Sequence, residues 1–308
     1  MLKQVQHDNF HMNLSVVIPV YKNKEQFLRN LRHNLQFLKN AEVIVVNDYP
    51  DESLQDDMKS FKEVKLIENK KNLGFAGAVN TGVFAATKDY VMLLNTDVML
   101  LDDSYQKVLA QFKEDSQLFG VSFAQKEKDG TIVGKNRFFW RQGLFYHRKA
   151  ADLQAGINGW AEGGSCILDR KKFVSLNGFD EIYKPFYWED IDLSYRAWKT
   201  GYHVLFNPDV IVEHHHESTI GRYFMSDYVK KIAFRNQFIF VWENITDKRL
   251  CLEYLLWHPY NKAFYLFKGE WNFFKGMLSA VPFIPTILRR RAQTKFKISD
   301  AEVLQKFK

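Results

Sequence analysis

The stretch LSVVIPV at residues 14–20 is a short apolar run of mainly β-branched residues, the pattern of a strand that is buried on both faces. Similar runs follow at residues 42–46 (EVIVV), 64–67 (VKLI) and 90–94 (YVMLL). The segments between them have helical periodicity; the first carries an apolar stripe made of Phe27, Leu31, Leu35 and Leu38. This alternation predicts an α/β fold with a doubly wound, mostly parallel sheet.

Polar residues follow the predicted strands at their carboxyl ends, where doubly wound sheets bind ligands. After the first, second and fourth strands these residues are Tyr21, Asn47, Asp48, Asn95, Thr96 and Asp97. Asp and Asn also end strands because they favour turns and cap helices, so any one of them fits a purely structural role. Together they predict a polar site at this edge of the sheet.

The glycine pattern argues against a dinucleotide-binding fold. That fold needs G-x-G-x-x-G directly after the first strand, where this chain has PVYKN at residues 19–23. The glycines follow the third strand instead, in NLGFAGAVNTG at residues 72–82. A glycine-rich helix entry suits close approach of a diphosphate, although glycine spacing alone is a weak signal.

The composition sets further limits on the class of protein. The 308 residues are 46% hydrophobic and 26% charged, enough to bury the core of one large domain or of a core plus an appendage. Two cysteines, Cys166 and Cys251, are too few for a disulfide framework or a zinc cluster, which favours a reduced, cytosolic setting. The first residues lack the features of a secretory signal, and the longest apolar stretch, 277–288, is too short to span a bilayer.

Positive charge is concentrated at the end of the chain. The net charge is +7, and residues 289–308 carry seven Lys or Arg against two acids. Such a tail predicts a polyanionic partner. A nucleic-acid-binding protein would carry the excess on its folded domain, so we expect no nucleic acid and favour an anionic membrane surface.

Two aromatic segments lie outside the strand and helix pattern of the first hundred residues. Residues 137–149 are basic and aromatic, which predicts a long functional loop or flap. Aromatic and apolar residues recur every three or four positions from Tyr260 to Leu278, which predicts one amphipathic helix. That helix either lies at a membrane interface, followed by the basic patch, or packs on the rest of the protein while the tail is solvated.

The order and spacing of the motifs resemble the family-two glycosyltransferases of GT-A fold, and more narrowly the rhamnosyltransferase-like branch that builds bacterial surface polysaccharides. The matching motifs are VVIPVYK, VVND, ENKKNLGFAGAVNTG, LLNTDV, GGSCILDR, GFDE, FYWEDIDLSYRAWKTGY and a V-E-H histidine cluster. They imply a GT-A nucleotide-sugar-binding and catalytic domain over residues 1–220, followed by a helical, aromatic-rich and basic extension over residues 221–308. The family's D-x-D motif appears here as Asn95-Thr96-Asp97, which removes one carboxylate.

The resemblance implies an inverting enzyme that transfers a hexose or deoxyhexose from a nucleotide diphosphate sugar to a saccharide acceptor. A growing surface glycan is usually lipid-linked at the inner leaflet, so we expect a cytoplasmic enzyme, peripheral on the inner face of the membrane. By resemblance, Asp97 and His214 bind Mn²⁺ or Mg²⁺, with His215 and His216 as the alternatives for the histidine ligand. A run of three histidines also fits a solvated strand end.

The same resemblance makes Asp190 the catalytic base, at a helix N-terminus that is expected to lower its pKa unless burial opposes this effect. The competing interpretation is that the acids at 189, 190 and 192 only complement the helix dipole. The remaining residues assigned to the substrate site are Pro19, Tyr21 and Asp48 for the base and ribose, Asn72, Gly74 and Asn80 for the diphosphate, Glu162, Gly163 and Gly164 for the acceptor or donor sugar, and also Asn95, Trp188 and Glu189.

Two other functions remain open from the sequence. A catalytically inactive GT-A-like binding subunit would share the fold, although the presence of Asp97, Asp190 and His214 argues against it. A nucleotidyltransferase also uses a doubly wound sheet. It would be expected to carry a basic, glycine-rich loop after the first strand, and this chain has none there.

Overall fold

The computed structural model of the protein describes residues 13–214 and 224–308. The strands are β1 (Leu14–Val20), β2 (Glu42–Asn47), β3 (Val64–Glu68), β4 (Tyr90–Leu94), β5 (Val98–Leu100), β6 (Leu118–Lys126), β7 (Ile132–Val133), β8 (Asn136–Arg141), β9 (Leu144–Lys149), β10 (Gly156–Ile157), β11 (Ser165–Asp169) and β12 (His203–His214). The helices are α1 (Lys24–Asn34), α2 (Gln55–Met58), α3 (Gly74–Ala85), α4 (Gln106–Glu114), α5 (Arg170–Ser175), α6 (Glu189–Thr200), α7 (Ser226–Asn244), α8 (Lys248–Phe267), α9 (Trp271–Ala280), α10 (Ile284–Gln293) and α11 (Asp300–Gln305).

One large mixed sheet organises the molecule, with the strand order β10-β12-β6-β11-β4-β1-β2-β3. The four strands predicted from the sequence, β1 to β4, are parallel to one another, and every residue of β1 is buried. Strand β11 runs antiparallel between β4 and β6, while β12 is parallel to β6. The predicted α/β fold with its doubly wound sheet is therefore confirmed.

The two faces of the sheet are covered by two hydrophobic clusters. Alternate residues of β1 point to opposite faces, as expected for a strand. Val16 packs in the cluster that contains Phe27 of α1, and Val17 packs in the cluster that contains Val79 of α3. The second cluster also includes Phe240 of α7, so the C-terminal helices share a core with the sheet.

Residues 137–149 form a β-hairpin and not the long loop predicted from the sequence. Strands β8 and β9 pair antiparallel, and Gln142 and Gly143 make the turn with φ of 50° and 72°. A two-residue turn with positive φ at both positions matches the twist of the paired strands. The side chains of Phe138 in β8 and Phe145 in β9 are buried, which fixes the register of the hairpin.

The predicted single helix from Tyr260 to Leu278 is divided into two. Helix α8 ends at Phe267 and α9 begins at Trp271, with Gly269 between them at φ 65°. A left-handed glycine ends a helix without steric cost. Helix α9 then packs on α7, where a side chain at Gly276 would overlap Phe234.

The basic tail folds back onto the protein and is not a solvated end, although five of its seven basic residues are exposed: Arg289, Lys295, Lys297, Lys306 and Lys308. Arg290 pairs with Asp180 and with Glu243, and Arg291 donates to the carbonyl oxygen of Trp242 at 2.6 Å. Further on, Phe307 is buried against Phe138. Among the described helices, none combines the length and the apolar character needed to cross a membrane.

Candidate active site

Asp48 follows β2 and anchors the loop that leads into α3. Its Oδ1 accepts hydrogen bonds from Asn69 Nδ2 at 2.8 Å and from the backbone N–H of Leu73 at 2.9 Å. Burial raises the pKa of Asp48, and the hydrogen bonds from Leu73 and Asn69 oppose that shift. Asp48 therefore fixes the entrance to the glycine-rich helix, at the strand edge where the sequence predicts the nucleotide.

Two tyrosines stand together at the ends of β1 and β2. The rings of Tyr21 and Tyr49 pack edge to face with their centroids 5.5 Å apart, and Lys22 Nζ lies 5.3 Å from each. Half-buried aromatic rings suit a planar base. Sequence reasoning selected Tyr21 but missed Tyr49, although Tyr49 directly follows Asp48. Pro19, assigned to the base from the sequence, is buried within β1.

The polar side chains of the glycine-rich loop form hydrogen bonds mainly with the backbone of the protein itself. Asn72 Oδ1 accepts from the N–H of Gly74 at 2.8 Å, and Gly74 has φ 73°. Asn80 is 7% exposed and uses both ends of its amide on the backbone of Phe179, at 2.8 and 2.9 Å. Asn80 thus ties α3 to the Gly178–Phe179 loop. It belongs to the scaffold of the site and not to the diphosphate surface predicted from the sequence.

Asp97 and His214 meet at the edge where β5 pairs with β12. The pairing places His214 opposite Val98, the residue after Asp97. His214 Nε2 lies 3.4 Å from Asp97 Oδ1, and the two side chains are 11% and 13% exposed. A carboxylate oxygen and an imidazole nitrogen that converge in this way fit one divalent cation whose other ligands are phosphate oxygens.

Within residues 13–214 and 224–308, no group of three potential ligands gathers at one point, so these two residues form an incomplete shell. The alternative ligands His215 and His216 lie outside the described residues. Asn95, which stands where the family has a second carboxylate, donates its backbone N–H to the carbonyl of Gly164 at 3.0 Å. Within the described residues the candidate ligands are thus Asp97 and His214, and the phosphates of a bound nucleotide could complete the coordination.

Glycines 163 and 164 permit a close approach between three parts of the site. A side chain at Gly164 would overlap the amide of Asn95, and one at Gly163 would lie 2.9 Å from the ring of Phe75. The N–H of Gly163 donates to Asp190 Oδ2 at 3.2 Å. The turn that begins at Glu162 therefore contacts both the strand end near Asp97 and the helix that carries Asp190.

Asp190 lies in the first turn of α6, half-buried beside the buried Glu189. Burial raises the pKa of Asp190 to about 6, although the N–H groups of Gly163 and Ile191 oppose the shift. Burial thus opposes the expected lowering of this pKa by the helix N-terminus, and it outweighs that effect. Burial and the charge of Asp190 raise the pKa of Glu189 to about 8. Burial therefore makes both carboxyl groups harder to ionise, and the effect is larger for Glu189 than for Asp190.

The backbone that leads into α6 is strained. Tyr187 and Trp188 are consecutive non-glycine residues with φ of 70° and 81°. Asn236 of α7, completely buried, donates its Nδ2 to the carbonyl oxygens of Tyr183 at 2.8 Å, Phe186 at 3.0 Å and Tyr187 at 2.8 Å. The C-terminal extension therefore holds the loop that positions Glu189 and Asp190. Nothing in the local sequence around Asn236 indicates this role.

Trp188 is 5% exposed and packs among other rings at the base of the same loop. Its ring centroid lies 5.2 Å from that of His147 and 5.1 Å from that of Phe240. His147 also packs edge-on against Trp160 at 5.2 Å. The hairpin residue His147 therefore packs between two buried tryptophans next to the acidic pair.

The sequence of the chain is similar to those of known glycosyltransferases. A sequence model described as "Glycosyl transferase family 2" matches residues 15–175. The amylovoran biosynthesis glycosyltransferase AmsB of Erwinia amylovora is 26% identical over 235 residues, which are 72% of this chain and 76% of AmsB. The pre-mycofactocin glycosyltransferase of Mycobacterium tuberculosis is 25% identical over 232 residues, 73% of this chain and 46% of that protein. The chain therefore spans most of the first relative but less than half of the second.

The fold is also similar to that of a solved enzyme. The crystal structure of GalNAc-T7 with UDP, GalNAc and Mn²⁺ superimposes with a TM-score of 0.60 at 18% identity, over 78% of this chain and 49% of that one. At this level of identity the similarity concerns the fold alone.

Proposed function

Because the chain belongs to glycosyl transferase family 2 and has the GT-A fold, we propose that it is an inverting, metal-dependent glycosyltransferase acting on a nucleotide diphosphate sugar. The transferred group is a hexose or deoxyhexose, in keeping with the narrower rhamnosyltransferase-like resemblance. One observation carries the proposal. The turn from Glu162 to Gly164 contacts Asp190 on one side and Asn95, two residues before Asp97, on the other. The same turn therefore links the candidate base to the strand end that leads to the candidate metal ligand Asp97.

Asp190 is the general base of the proposed reaction. It removes the proton from the acceptor hydroxyl while that oxygen forms a bond to the anomeric carbon and the bond from this carbon to the diphosphate oxygen breaks. Attack from the side opposite the leaving diphosphate inverts the anomeric configuration. The raised pKa of Asp190, about 6, makes it a better proton acceptor than an ordinary carboxylate, yet leaves it ionised at neutral pH.

Asp97 and His214 would hold the divalent cation. A bound Mn²⁺ or Mg²⁺ supplies positive charge that neutralises the leaving diphosphate. The imidazole ligand favours Mn²⁺ over Mg²⁺, which prefers oxygen ligands. Tyr21 and Tyr49 would bind the base, while Asp48 keeps the loop before α3 in position for the ribose and diphosphate.

The acceptor is a saccharide of a bacterial surface polysaccharide, carried on a lipid at the inner face of the membrane. The similarity to a glycosyltransferase of amylovoran biosynthesis supports this class of acceptor. In the same proposal, residues 1–220 bind the donor and perform catalysis, and residues 221–308 position the base through Asn236 and provide the contact with the membrane.

The membrane contact would be made by α8, since two arginines of the basic tail are paired within the protein. One side of α8 is apolar and faces solvent. We call the residues on that side the apolar face of α8; it consists of Leu252, Leu255, Leu256, Leu266 and Phe267, which are 50–89% exposed. An exposed apolar stripe on a helix is typical of interfacial binding.

Co-sedimentation with vesicles that contain anionic lipid tests the membrane contact. The variant with Leu255, Leu256 and Phe267 all changed to Ser should lose binding, whereas Leu288→Ser, at an equally exposed leucine of α10, should not. Equal binding by all three proteins would show that the apolar face of α8 serves another purpose.

The catalytic proposal is tested by a screen of nucleotide sugars for protection against thermal unfolding, with and without Mn²⁺. The correct donor should raise the melting temperature because it binds only the folded state. Asp97→Ala should remove the Mn²⁺-dependent part of this stabilisation. If no nucleotide sugar stabilised the protein under either condition, the chain would be better described as a GT-A-like subunit without donor binding.

The base is tested with the donor that the screen identifies. Asp190→Asn should keep the donor affinity and lower turnover by about 10²–10⁴-fold. Asp209→Asn, at an exposed acid of β12, is the matched control and should leave turnover unchanged. Near wild-type turnover of Asp190→Asn at saturating donor would make Asp190 a structural acid.

A further inference from the structure

We infer that Gln125 is a positioning residue that fixes the ring of His214 in the tautomer suited to metal binding. The inference rests on the proposed metal site. Gln125 lies near the end of β6, is 1% exposed, and contacts His214 on the neighbouring strand β12. Its side chain links the histidine to a buried hydrogen-bond chain that includes Glu162 and Asn136.

The orientation of the Gln125 amide follows from its neighbours. Its Nε2 donates to Glu162 Oε2 and to Ser165 Oγ, the latter at 2.8 Å. The other oxygen of Glu162 accepts from Nδ2 of the fully buried Asn136 at 2.7 Å. A reversed amide would bring Gln125 Oε1 against the carboxylate of Glu162, where two acceptors would repel each other. The amide oxygen therefore points to His214.

The tautomer of His214 follows from that amide oxygen. Gln125 Oε1 lies 2.7 Å from His214 Nδ1, and an oxygen can only accept, so Nδ1 carries the hydrogen. In the neutral ring Nε2 is then an acceptor, and it is the nitrogen that lies 3.4 Å from Asp97 Oδ1. This is the form in which imidazole binds a metal, with its second nitrogen donating to a neighbouring oxygen.

The opposite tautomer would compete with the metal. With the hydrogen on Nε2, His214 could donate directly to Asp97 and close the space between the two ligands. Gln125 disfavours the Nε2–H tautomer because Nδ1, without its hydrogen, could no longer donate to Gln125 Oε1. With only two protein ligands in the described part of the site, such a bias should have a large effect on metal affinity.

Gln125→Met, which keeps a similar volume without hydrogen bonds, tests the inference with two readouts. Long-range ¹H–¹⁵N NMR of the metal-free protein should show the Nδ1–H tautomer of His214 in the wild type and a shift towards Nε2–H in the variant; the signal is assigned by its loss in His214→Ala. Mn²⁺ alone, titrated by electron paramagnetic resonance, should bind about 10–100-fold more weakly to the variant.

An exchange of the two side chains provides the rescue. Gln125→Glu should weaken Mn²⁺ binding because two carboxylates then face each other. The double variant Gln125→Glu/Glu162→Gln restores one donor and one acceptor between residues 125 and 162 and keeps an oxygen acceptor for His214 Nδ1, so it should show the Nδ1–H tautomer and most of the wild-type Mn²⁺ affinity. A role limited to folding would not predict that this pair of changes preserves the tautomer and restores the affinity, so this variant also decides the question if Gln125→Met does not fold.

The controls separate failure of the inference from failure of the proposed metal site. If Asp97→Ala and His214→Ala lower Mn²⁺ affinity but Gln125→Met changes neither affinity nor tautomer, the role of Gln125 is wrong and the metal site stands. If the alanine variants bind Mn²⁺ as the wild type does, the metal site itself is wrong, and the inference falls with it.

Discussion

Removal of the Asp300 carboxylate should strongly destabilise the protein, because this group joins the C-terminal helix to the helix that carries the candidate base. Its Oδ1 lies 2.7 Å from Lys199 Nζ of α6, and both side chains are fully buried. The same oxygen accepts from the Tyr195 hydroxyl at 2.7 Å. Oδ2 accepts from the backbone N–H groups of Thr246 at 2.6 Å and Asp247 at 2.8 Å.

The expected magnitude follows from what Asp300→Ala leaves behind. Lys199 would keep hydrogen bonds to the Asn244 carbonyl at 2.9 Å and to Thr246 Oγ1 at 2.6 Å but would lose its directly bonded carboxylate, leaving Asp247 as a weaker charge partner. Burial already lowers the pKa of Lys199, and Asp300 opposes that shift. Breaking a buried ion pair by removing one partner costs about 3–5 kcal/mol. At about 2–4 °C per kcal/mol for a large domain, the melting temperature should fall on the order of 10 °C.

Calorimetric melting of matched variants provides the assay. Asp56→Ala removes the partner of Lys59 from a pair whose side chains are 91% and 77% exposed, and it should cost less than about 1 kcal/mol. Lys199→Met/Asp300→Asn removes both charges but keeps an acceptor for the neighbouring donors, so it should recover much of the loss. A melting temperature of Asp300→Ala within the range of Asp56→Ala would refute the reasoning.

Three further predictions concern the acidic pair and the loop that holds it. Burial raises the pKa of Glu189 to about 8 in the folded protein, so its contribution lowers the free energy of unfolding as pH rises from about 4.5 to 8. Urea unfolding should therefore show that Glu189→Gln becomes progressively more stable than the wild type over this range. Transfer that uses Asp190 as base should decline as pH falls below about 6, and a rate that was independent of pH down to 5 would contradict the assignment. Asn236→Ala should lower turnover more than donor affinity. The control is Asn261→Ala, which removes a buried amide that donates to the hairpin turn at 2.8 Å and should affect stability alone.

The parallel half of the sheet was predictable from sequence because its strands are buried on both faces. Such strands consist of continuous apolar runs, and the predicted bounds of β1 and β4 coincide with the observed ones. The end of α6 has a local signal of the same kind, because Gly201 follows Thr200 and adopts φ 96°. In these cases the determining interactions lie within one short segment of the chain.

The roles of two tail arginines could not be predicted from sequence because their partners are distant along the chain. Arg290 looks like part of a basic patch until Asp180 and Glu243 are seen beside it. The pKa of Asp190 shows the same limitation. The helix N-terminus can be identified from sequence, but the burial that outweighs it depends on how the turn at Gly163 packs against α6.

The contacts of the C-terminal extension change how its functions can be separated. Asn236 holds the strained loop before Asp190, and Asp300 holds the far end of the same helix α6 through Lys199. Deletion of the extension would therefore disturb the candidate base along with any membrane contact, and loss of activity would say nothing about lipids. The apolar face of α8 points away from both contacts, since its residues are exposed. Point substitutions on that face can remove a membrane contact while the support of Asp190 remains in place.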